Sequence, residues 1–95
     1  MEKEMALLFK ALSDENRLKI IKLLLKGELC GCMLIDKLDI KQPTLSYHLG
    51  ILTDAKITSS FRDGNMIKYT VNKEVLDSIS QFIESFHHLD STCAI

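Results

Sequence analysis

The feature that most constrains the fold is a single change in the spacing of apolar residues. From Met5 to Leu52 they recur at helical spacing, which indicates successive amphipathic helices. Two β-branched and aromatic runs follow, at 57–61 and 66–71, on either side of Arg62-Asp63-Gly64-Asn65. Because an Asp-Gly pair between such runs is a strong signal for a tight turn, these runs are predicted to form a β-hairpin. We therefore expect helices first and a small β-ribbon after them.

Four helices are predicted before the hairpin and one after it. Ser13 is the expected N-cap of the second helix, because its hydroxyl can accept a hydrogen bond from the first turn. Pro43 is expected to begin the fourth helix, where its missing N–H costs nothing. Leu18, Ile21, Leu24 and Leu25 are the expected inward stripe of the second helix. The predicted helices cover residues 5–12, 14–26, 33–38, 43–55 and 73–89.

Length and composition favour one small domain spanning residues 1–95. The chain has 95 residues, 46% of them hydrophobic and 26% charged, and no linker-like stretch divides it. The predicted last helix carries a long apolar stripe, and a chain this small buries too little surface to be very stable alone. We therefore expect a homodimer. The sequence has no secretory signal and no apolar run long enough to cross a bilayer, which predicts a cytoplasmic protein without membrane contact.

The charge is close to balanced but unevenly distributed. Lys and Arg number 12 against 13 Asp and Glu, so any binding of a polyanion must be local. The segment from Lys37 to Lys68 holds five basic and three acidic residues, whereas the stretch from Lys73 onward holds one basic and four acidic residues. This pattern favours nucleic-acid binding by the middle of the chain and another role for its last helix.

The order of elements is typical of a winged helix-turn-helix, mainly α with a small β-hairpin (ααααββα). The second helix of the helix-turn-helix pair, predicted at 43–55, would enter the major groove of DNA, and the β-ribbon would reach the adjacent DNA backbone. Polar side chains on a helix can also be an ordinary solvated face, and the hairpin is what favours DNA. The predicted contacts are Gln42, Thr44, Ser46, Tyr47 and, nearer the buried edge, His48 on the helix, with Lys41, Arg62, Asn65 and Lys68 for phosphate or minor groove.

Three segments carry a resemblance to a known family. They are FKALSDENRLKIIKLL, ELCGCMLIDKLDIKQPTLSYHLGILTDAKI and RDGNMIKYTV. Together they resemble the ArsR/SmtB family of bacterial metal-responsive repressors over nearly the whole chain. The resemblance implies a homodimer built through the first and last helices. It also implies that this dimer binds an imperfect palindrome in double-stranded operator DNA and releases it when an inducer binds.

Cys30 and Cys32 flank Gly31 where a helix is predicted to begin. They are too close in sequence for an easy intrachain bridge, so free thiols or metal ligands are expected. At a helix N-terminus the two sulfurs can converge, and the helix dipole favours the thiolate form that binds soft ions. The family's arsenic(III) and antimony(III) sensors are similar here but add a third cysteine three residues later, where this chain has Ile35.

Three interpretations of the missing third sulfur stay open. Cys93 could supply it from either subunit, an exogenous thiol could supply it, or sensing could be weak or lost. As(III) or Sb(III) is the favoured inducer, with Cd(II), Pb(II) or Zn(II) as alternatives. The family's zinc site in the last helix needs a histidine two residues after an aspartate. In this chain the residue two positions after Asp77 is Ile79. A nonstandard site of His87, His88, Asp90 and Cys93 is less favoured than solvated or interface histidines.

The sequence therefore predicts a metal(loid)-responsive transcriptional repressor that is not an enzyme. A repressor of the same fold that senses oxidants or reactive sulfur through its thiols is the alternative. A thiol redox enzyme is disfavoured because such enzymes usually place the cysteine pair after a strand in an α/β fold. A metal-buffering protein without DNA binding is disfavoured because it would not need the reading helix and the ribbon.

Overall fold

The fold is known from a computed structural model, which describes the backbone of residues 1–92 and the side chains of residues 1–88. Within these residues, five helices and three strands surround one core, and the first and last helices lie against each other. The elements are α1 (Glu2–Leu12), α2 (Glu15–Leu24), β1 (Leu29–Cys30), α3 (Gly31–Leu38), α4 (Gln42–Asp54), β2 (Thr58–Asp63), β3 (Met66–Val71) and α5 (Lys73–Thr92).

The N-cap of α2 is Asp14 and not Ser13, which instead follows the last residue of α1. The Oδ2 atom of Asp14 accepts hydrogen bonds from the backbone N–H groups of Asn16 at 2.8 Å and Arg17 at 3.2 Å. A carboxylate suits this position because it also offsets the positive end of the helix dipole. The predicted boundary was therefore one residue too early.

The sheet has three strands, because the short strand β1 adds to the predicted hairpin. The order is β1-β3-β2 and both pairings are antiparallel, with Cys30 opposite Lys68 and Asp63 opposite Met66. A two-residue turn, Gly64-Asn65, joins β2 to β3. Gly64 has φ +65°, the backbone conformation that a primed hairpin turn requires at its first central residue. Leu29 and Cys30, which lie between the second and third predicted helices, therefore connect α3 to the hairpin.

The core lies between α2, α3, α4 and the base of the sheet. Leu45, Leu49 and Leu52 of α4 point into it, as their spacing predicts. Leu18 of α2 and Leu25, which follows the last residue of α2, were predicted to face inward but are 49% and 46% exposed. The inward face of α2 is rotated by about one residue so that Arg17 lies inside, next to α4. The buried hydrophobic cluster comprises Ala11, Ile20, Ile21, Leu24, Leu34, Leu45, Leu49, Leu52 and Ile57.

None of the helices in the described part of the chain combines the length and apolar character that crossing a bilayer requires.

Candidate nucleic-acid interface and cysteine site

The outward face of α4 carries most of the predicted DNA contacts. Tyr47 is 64% exposed and stands near the middle of the helix. Gln42 donates a hydrogen bond from Nε2 to Oγ of Ser46 at 3.1 Å, which fixes two polar side chains on the same face. Side chains that can both donate and accept hydrogen bonds suit contact with base edges or phosphates. The residues on this exposed face are Lys41, Gln42, Thr44, Ser46 and Tyr47.

The hairpin of β2 and β3, here called the wing, carries the remaining predicted contacts. Arg62 and Asn65 are exposed near its tip. Lys68 is held by two carboxylates, with Nζ 2.8 Å from Oδ2 of Asp63 and 3.5 Å from Oε1 of Glu28. The hydrogen bond and charge of Asp63 raise the pKa of Lys68, and the same hydrogen bond and the charge of Lys68 lower the pKa of Asp63. Lys68 is therefore cationic but already paired.

His48, predicted to contact DNA from nearer the buried edge, does not lie on the exposed face of α4. Its side chain is buried, with 6% of the residue exposed, and it faces α2 instead of the outward surface. The Nδ1 atom lies 3.1 Å from Nη1 of Arg17 and 3.7 Å from Oδ2 of Asp14. Sequence spacing placed His48 at the edge of the buried face, but only the position of Arg17 shows which way the imidazole points.

Cys30 and Cys32 are brought together at the start of α3. Their sulfur atoms are bonded as a disulfide, with the two Cα atoms 5.4 Å apart. The expectation that the sulfurs can converge is therefore confirmed, whereas the expectation against an intrachain bridge is wrong. The reason is local: Cys30 has an extended backbone as the N-cap, and Cys32 lies in the first turn of the helix. Cys30 is buried and Cys32 is exposed.

A cavity of about 350 Å³ opens beside the cysteine pair. Its walls come from three elements: the start of α3, the start of α4 at Gln42, and the wing. The cysteines therefore share one cavity with both elements that are predicted to read DNA. Sequence reasoning missed the wing side of this site because β1 was not predicted. The lining residues are Cys30, Gly31, Cys32, Gln42, Asn65, Met66, Ile67 and Tyr69.

Other predicted ligands are not brought to this site. Cys93 lies outside the described residues, so the structure does not test whether it supplies a third sulfur. His87 and Asp77 are exposed on α5. Among the residues whose positions are described, no three His, Cys, Asp or Glu side chains are grouped as a metal site. The described chain thus contributes two sulfur atoms to the cysteine site.

Comparison with known proteins identifies the family. The model of the bacterial regulatory protein arsR family matches residues 14–60, from the N-cap of α2 into β2. The chain is 40% identical over 92 residues to an arsenical resistance operon repressor of Staphylococcus xylosus, covering 97% of this chain and 88% of that protein. It is 38% identical over 91 residues to an arsenical resistance operon repressor of Staphylococcus aureus, covering 96% and 88%.

Among solved structures, an ArsR-like transcriptional regulator from Rhodococcus sp. RHA1 is 25% identical. It superimposes with a TM-score of 0.84 over 92% of this chain and 82% of that chain. The predicted winged helix-turn-helix fold is thereby confirmed. The chain belongs to the arsR family of bacterial regulatory proteins, which are DNA-binding transcriptional regulators and not enzymes.

Proposed function

We propose that this protein is a homodimeric repressor that releases a palindromic operator when Cys30 and Cys32 bind As(III) or Sb(III). The observation that carries the proposal is the cavity beside the cysteine pair, which α4 and the wing also line. A ligand held there touches the surfaces that contact DNA. The arsenical resistance operon repressors to which the chain is similar support the choice of a trivalent metalloid.

DNA binding is assigned to the outward face of α4 and to the wing. In a dimer, two such helices enter successive major grooves about 34 Å apart, which matches a palindromic site. Lys41 at the start of α4 and Arg62 on the wing supply charge for phosphate contacts. Thr44, Ser46 and Tyr47 are the candidates for contacts with base edges.

Dimerisation is assigned to α1 and α5. The rings of Phe9 and Phe82 lie 6.3 Å apart, and Phe86 continues this aromatic row at 5.1 Å from Phe82. Phe86 is nevertheless 49% exposed and Ile83 45% exposed. The radius of gyration is 15.6 Å, against about 12 Å expected for a compact chain of this length. An elongated fold with an exposed aromatic row is better explained by a second subunit that covers this row than by a monomer.

The cysteine pair must be reduced to act as a metal site, because a disulfide has no free thiolate. In the reduced form, two converging thiolates are a soft chelate suited to As(III) or Sb(III), with Cd(II), Pb(II) or Zn(II) as weaker candidates. A third ligand is then required from a small thiol or from Cys93. The cavity beside the pair provides room for the small thiol.

The coupling to DNA runs through the backbone on either side of Cys30. On one side Cys30 caps α3, the first helix of the reading pair. On the other side it pairs with Lys68 in the wing strand. Coordination of one ion by both sulfur atoms would move the start of α3 and, at the same time, change the pairing of β1 with β3. The wing and α4 would then lose their common alignment on DNA, and a coupling of about 1–3 kcal/mol is enough for a useful switch.

The test is fluorescence anisotropy with a labelled duplex selected from a randomised pool by the reduced protein. Arsenite should weaken binding by about tenfold or more, the effect of a coupling near 1.4 kcal/mol. The Cys30→Ser/Cys32→Ser variant should bind the duplex and ignore arsenite. Cys93→Ser is the matched control: a retained response assigns the third ligand to an exogenous thiol. Arsenite sensitivity that survives in the double variant would contradict the proposal.

A redox-sensing repressor is the second candidate, and the disulfide between Cys30 and Cys32 is the observation that favours it. Two thiols and one hydrogen peroxide would give the disulfide and two waters, with both electrons passing from sulfur to oxygen. Under this alternative, peroxide alone changes DNA affinity and a dithiol reductant restores it. Mass spectrometry of the metal-free protein, run beside the anisotropy assay, distinguishes a loss of two hydrogens from bound arsenic.

A further inference from the structure

A group of three polar side chains, two of them buried, lies behind α4, on the side that does not face DNA. It joins His48 of α4 to Arg17 of α2 and to Asp14, the N-cap of α2. Arg17 and His48 are 9% and 6% exposed. Neither residue belongs to the cysteine site or to the outward face of α4, so the proposed function makes no use of them.

Arg17 connects three elements through its guanidinium. Its Nε donates to the carbonyl oxygen of Ala11, near the end of α1, at 2.7 Å. Its Nη1 lies 3.1 Å from Nδ1 of His48. Because a guanidinium can only donate, this contact is a hydrogen bond when Nδ1 accepts, as it does in the tautomer that carries its proton on Nε2. The end of α1 and the middle of α4 are therefore linked through one side chain.

We propose that Arg17 and His48 are positioning residues that hold α4 in its DNA-reading orientation relative to α1, and that only neutral His48 completes this link. The inference rests on the DNA contact assigned to α4 and is independent of the cysteine chemistry. Since α1 is assigned to the dimer interface, the link also relates the orientation of α4 to the partner subunit.

Protonation of His48 would exchange one partner for another. The titratable groups that face the imidazole are Arg17 and Asp14 at the start of α2 and Tyr47 beside it on α4, whose ring centre is 5.3 Å away. Protonated Nδ1 can no longer accept from Arg17, but it can donate to Oδ2 of Asp14, now 3.7 Å away. The imidazole would then be attached to the N-cap of α2, and its link to α1 through Arg17 would be lost.

The test compares two variants across pH, using the selected duplex. His48→Gln offers a carbonyl acceptor to Arg17 but does not titrate. It should bind DNA within about threefold of the parent at pH near 8 and should lack the parent's additional loss of about tenfold near pH 5.5, the effect expected for one charge-assisted hydrogen bond. Lys19→Gln changes an exposed residue on the same helix as Arg17 and should keep the parent profile. Parallel profiles for the parent and His48→Gln would overturn the inference.

Arg17→Lys retains the charge, but an ammonium cannot span Ala11 and His48 together. It should weaken DNA binding by about tenfold at pH near 8. If this variant does not fold, the nitrogen shifts of His48 in the parent decide, measured by long-range proton–nitrogen correlation. We expect a proton on Nε2 alone, and a proton on Nδ1 at neutral pH would overturn the inference. Failure of the parent to bind any selected DNA would instead remove the proposed function.

Discussion

The two elements assigned to DNA reading are attached to the rest of the molecule in opposite ways. Behind α4, Arg17 and His48 are buried, and Arg17 forms hydrogen bonds with both the carbonyl oxygen of Ala11 and Nδ1 of His48. In the wing, Lys68 is held by Glu28 and Asp63, whose side chains are 48% and 60% exposed. Buried hydrogen bonds resist rearrangement because an unpaired partner is costly, whereas exposed ion pairs exchange with water and salt at little cost.

This difference indicates which element the cysteine pair can move. Cys30 lies opposite Lys68 in the sheet, and Glu28 is only two residues away from it. A change at the cysteines therefore reaches the weakly held wing directly, while α4 stays attached through Arg17. We expect the wing to be the adjustable element of the switch and α4 the rigid one, and the predictions below test this division.

The largest expected effect is the loss of the buried link. Arg17→Ala removes the donor to Ala11 and leaves Nδ1 of His48 without its partner in the interior. The free energy of unfolding should fall by about 2–3 kcal/mol, as is typical when buried hydrogen-bonding groups lose their partners. Urea denaturation followed by circular dichroism measures it.

The matched control for Arg17→Ala lies on the same helix. Lys19→Ala removes an exposed ion pair with Glu15, in which Nζ and Oε2 are 3.0 Å apart. The free energy of unfolding should fall by only about 0.3–0.5 kcal/mol, as for other exposed ion pairs on helices. This loss is roughly a fifth of the loss expected for Arg17→Ala. Equal effects at the two positions would contradict the idea that α4 is held by a buried link.

Gly50→Ala should separate stability from DNA binding. Gly50 lies on the exposed side of α4, and an added Cβ would meet no atom within 4 Å. Alanine in a helix interior should therefore stabilise the fold by about 0.5–1 kcal/mol. The same methyl group projects from the outward face, where it should hinder close approach to DNA and weaken binding about tenfold. Thermal unfolding and anisotropy measure the two effects, and unchanged DNA affinity would show that Gly50 lies outside the contact surface.

The sequence was sufficient to predict the order of helices and the hairpin, because periodicity and turn residues are local signals. Leu45, Leu49 and Leu52 needed only helical spacing to be placed inside, and the convergence of Cys30 and Cys32 needed only a helix start with glycine between them. These predictions depend on contacts between residues near each other in the chain.

The parts that sequence reasoning missed depend on contacts between distant residues. Strand β1 is two residues long and forms because β3 pairs with it, so no local sequence pattern predicts it. Which face of α2 lies inward depends on the contact between Arg17 and His48, which is 31 positions later in the chain. An arginine followed by apolar residues is usually an exposed helix residue, and only the partner on α4 makes it a buried one.

A smaller effect is expected from the wing cation. Lys68→Gln removes a predicted phosphate contact and should reduce the slope of log affinity against log salt by about 0.9, with a loss of only a few-fold in affinity at moderate salt. Asp63→Asn removes the carboxylate that competes for the same ammonium, so it should raise DNA affinity. Anisotropy titrations over a series of salt concentrations measure both variants. An unchanged slope in Lys68→Gln would place Lys68 outside the DNA interface.

The smallest expected effect is the contribution of the Asp63–Lys68 pair to stability, which should follow pH in a defined way. The hydrogen bond and charge of Lys68 lower the pKa of Asp63 below its ordinary value of 3.8, so the pair stabilises the fold above that pH. This contribution is lost as the pH falls through the lowered pKa of the folded state. The pKa of Lys68 is raised above its ordinary value of 10.5 by the hydrogen bond and charge of Asp63, so its contribution is lost only as the pH rises above that range.

The difference in melting temperature between the parent and Asp63→Asn should therefore be constant from about pH 5 to pH 9 and shrink below about pH 4. It should also shrink in high salt, because Asp63 is exposed to solvent and Lys68 is partly exposed. A double-mutant cycle with Lys68→Gln isolates the pair from other effects of either substitution. The coupling free energy in that cycle should be smaller than the stability loss at the buried Arg17–His48 link and should fall as salt is added. A coupling of equal size, or one that does not depend on salt, would mean that the wing is attached as rigidly as α4. The cysteine pair would then have no adjustable element to move.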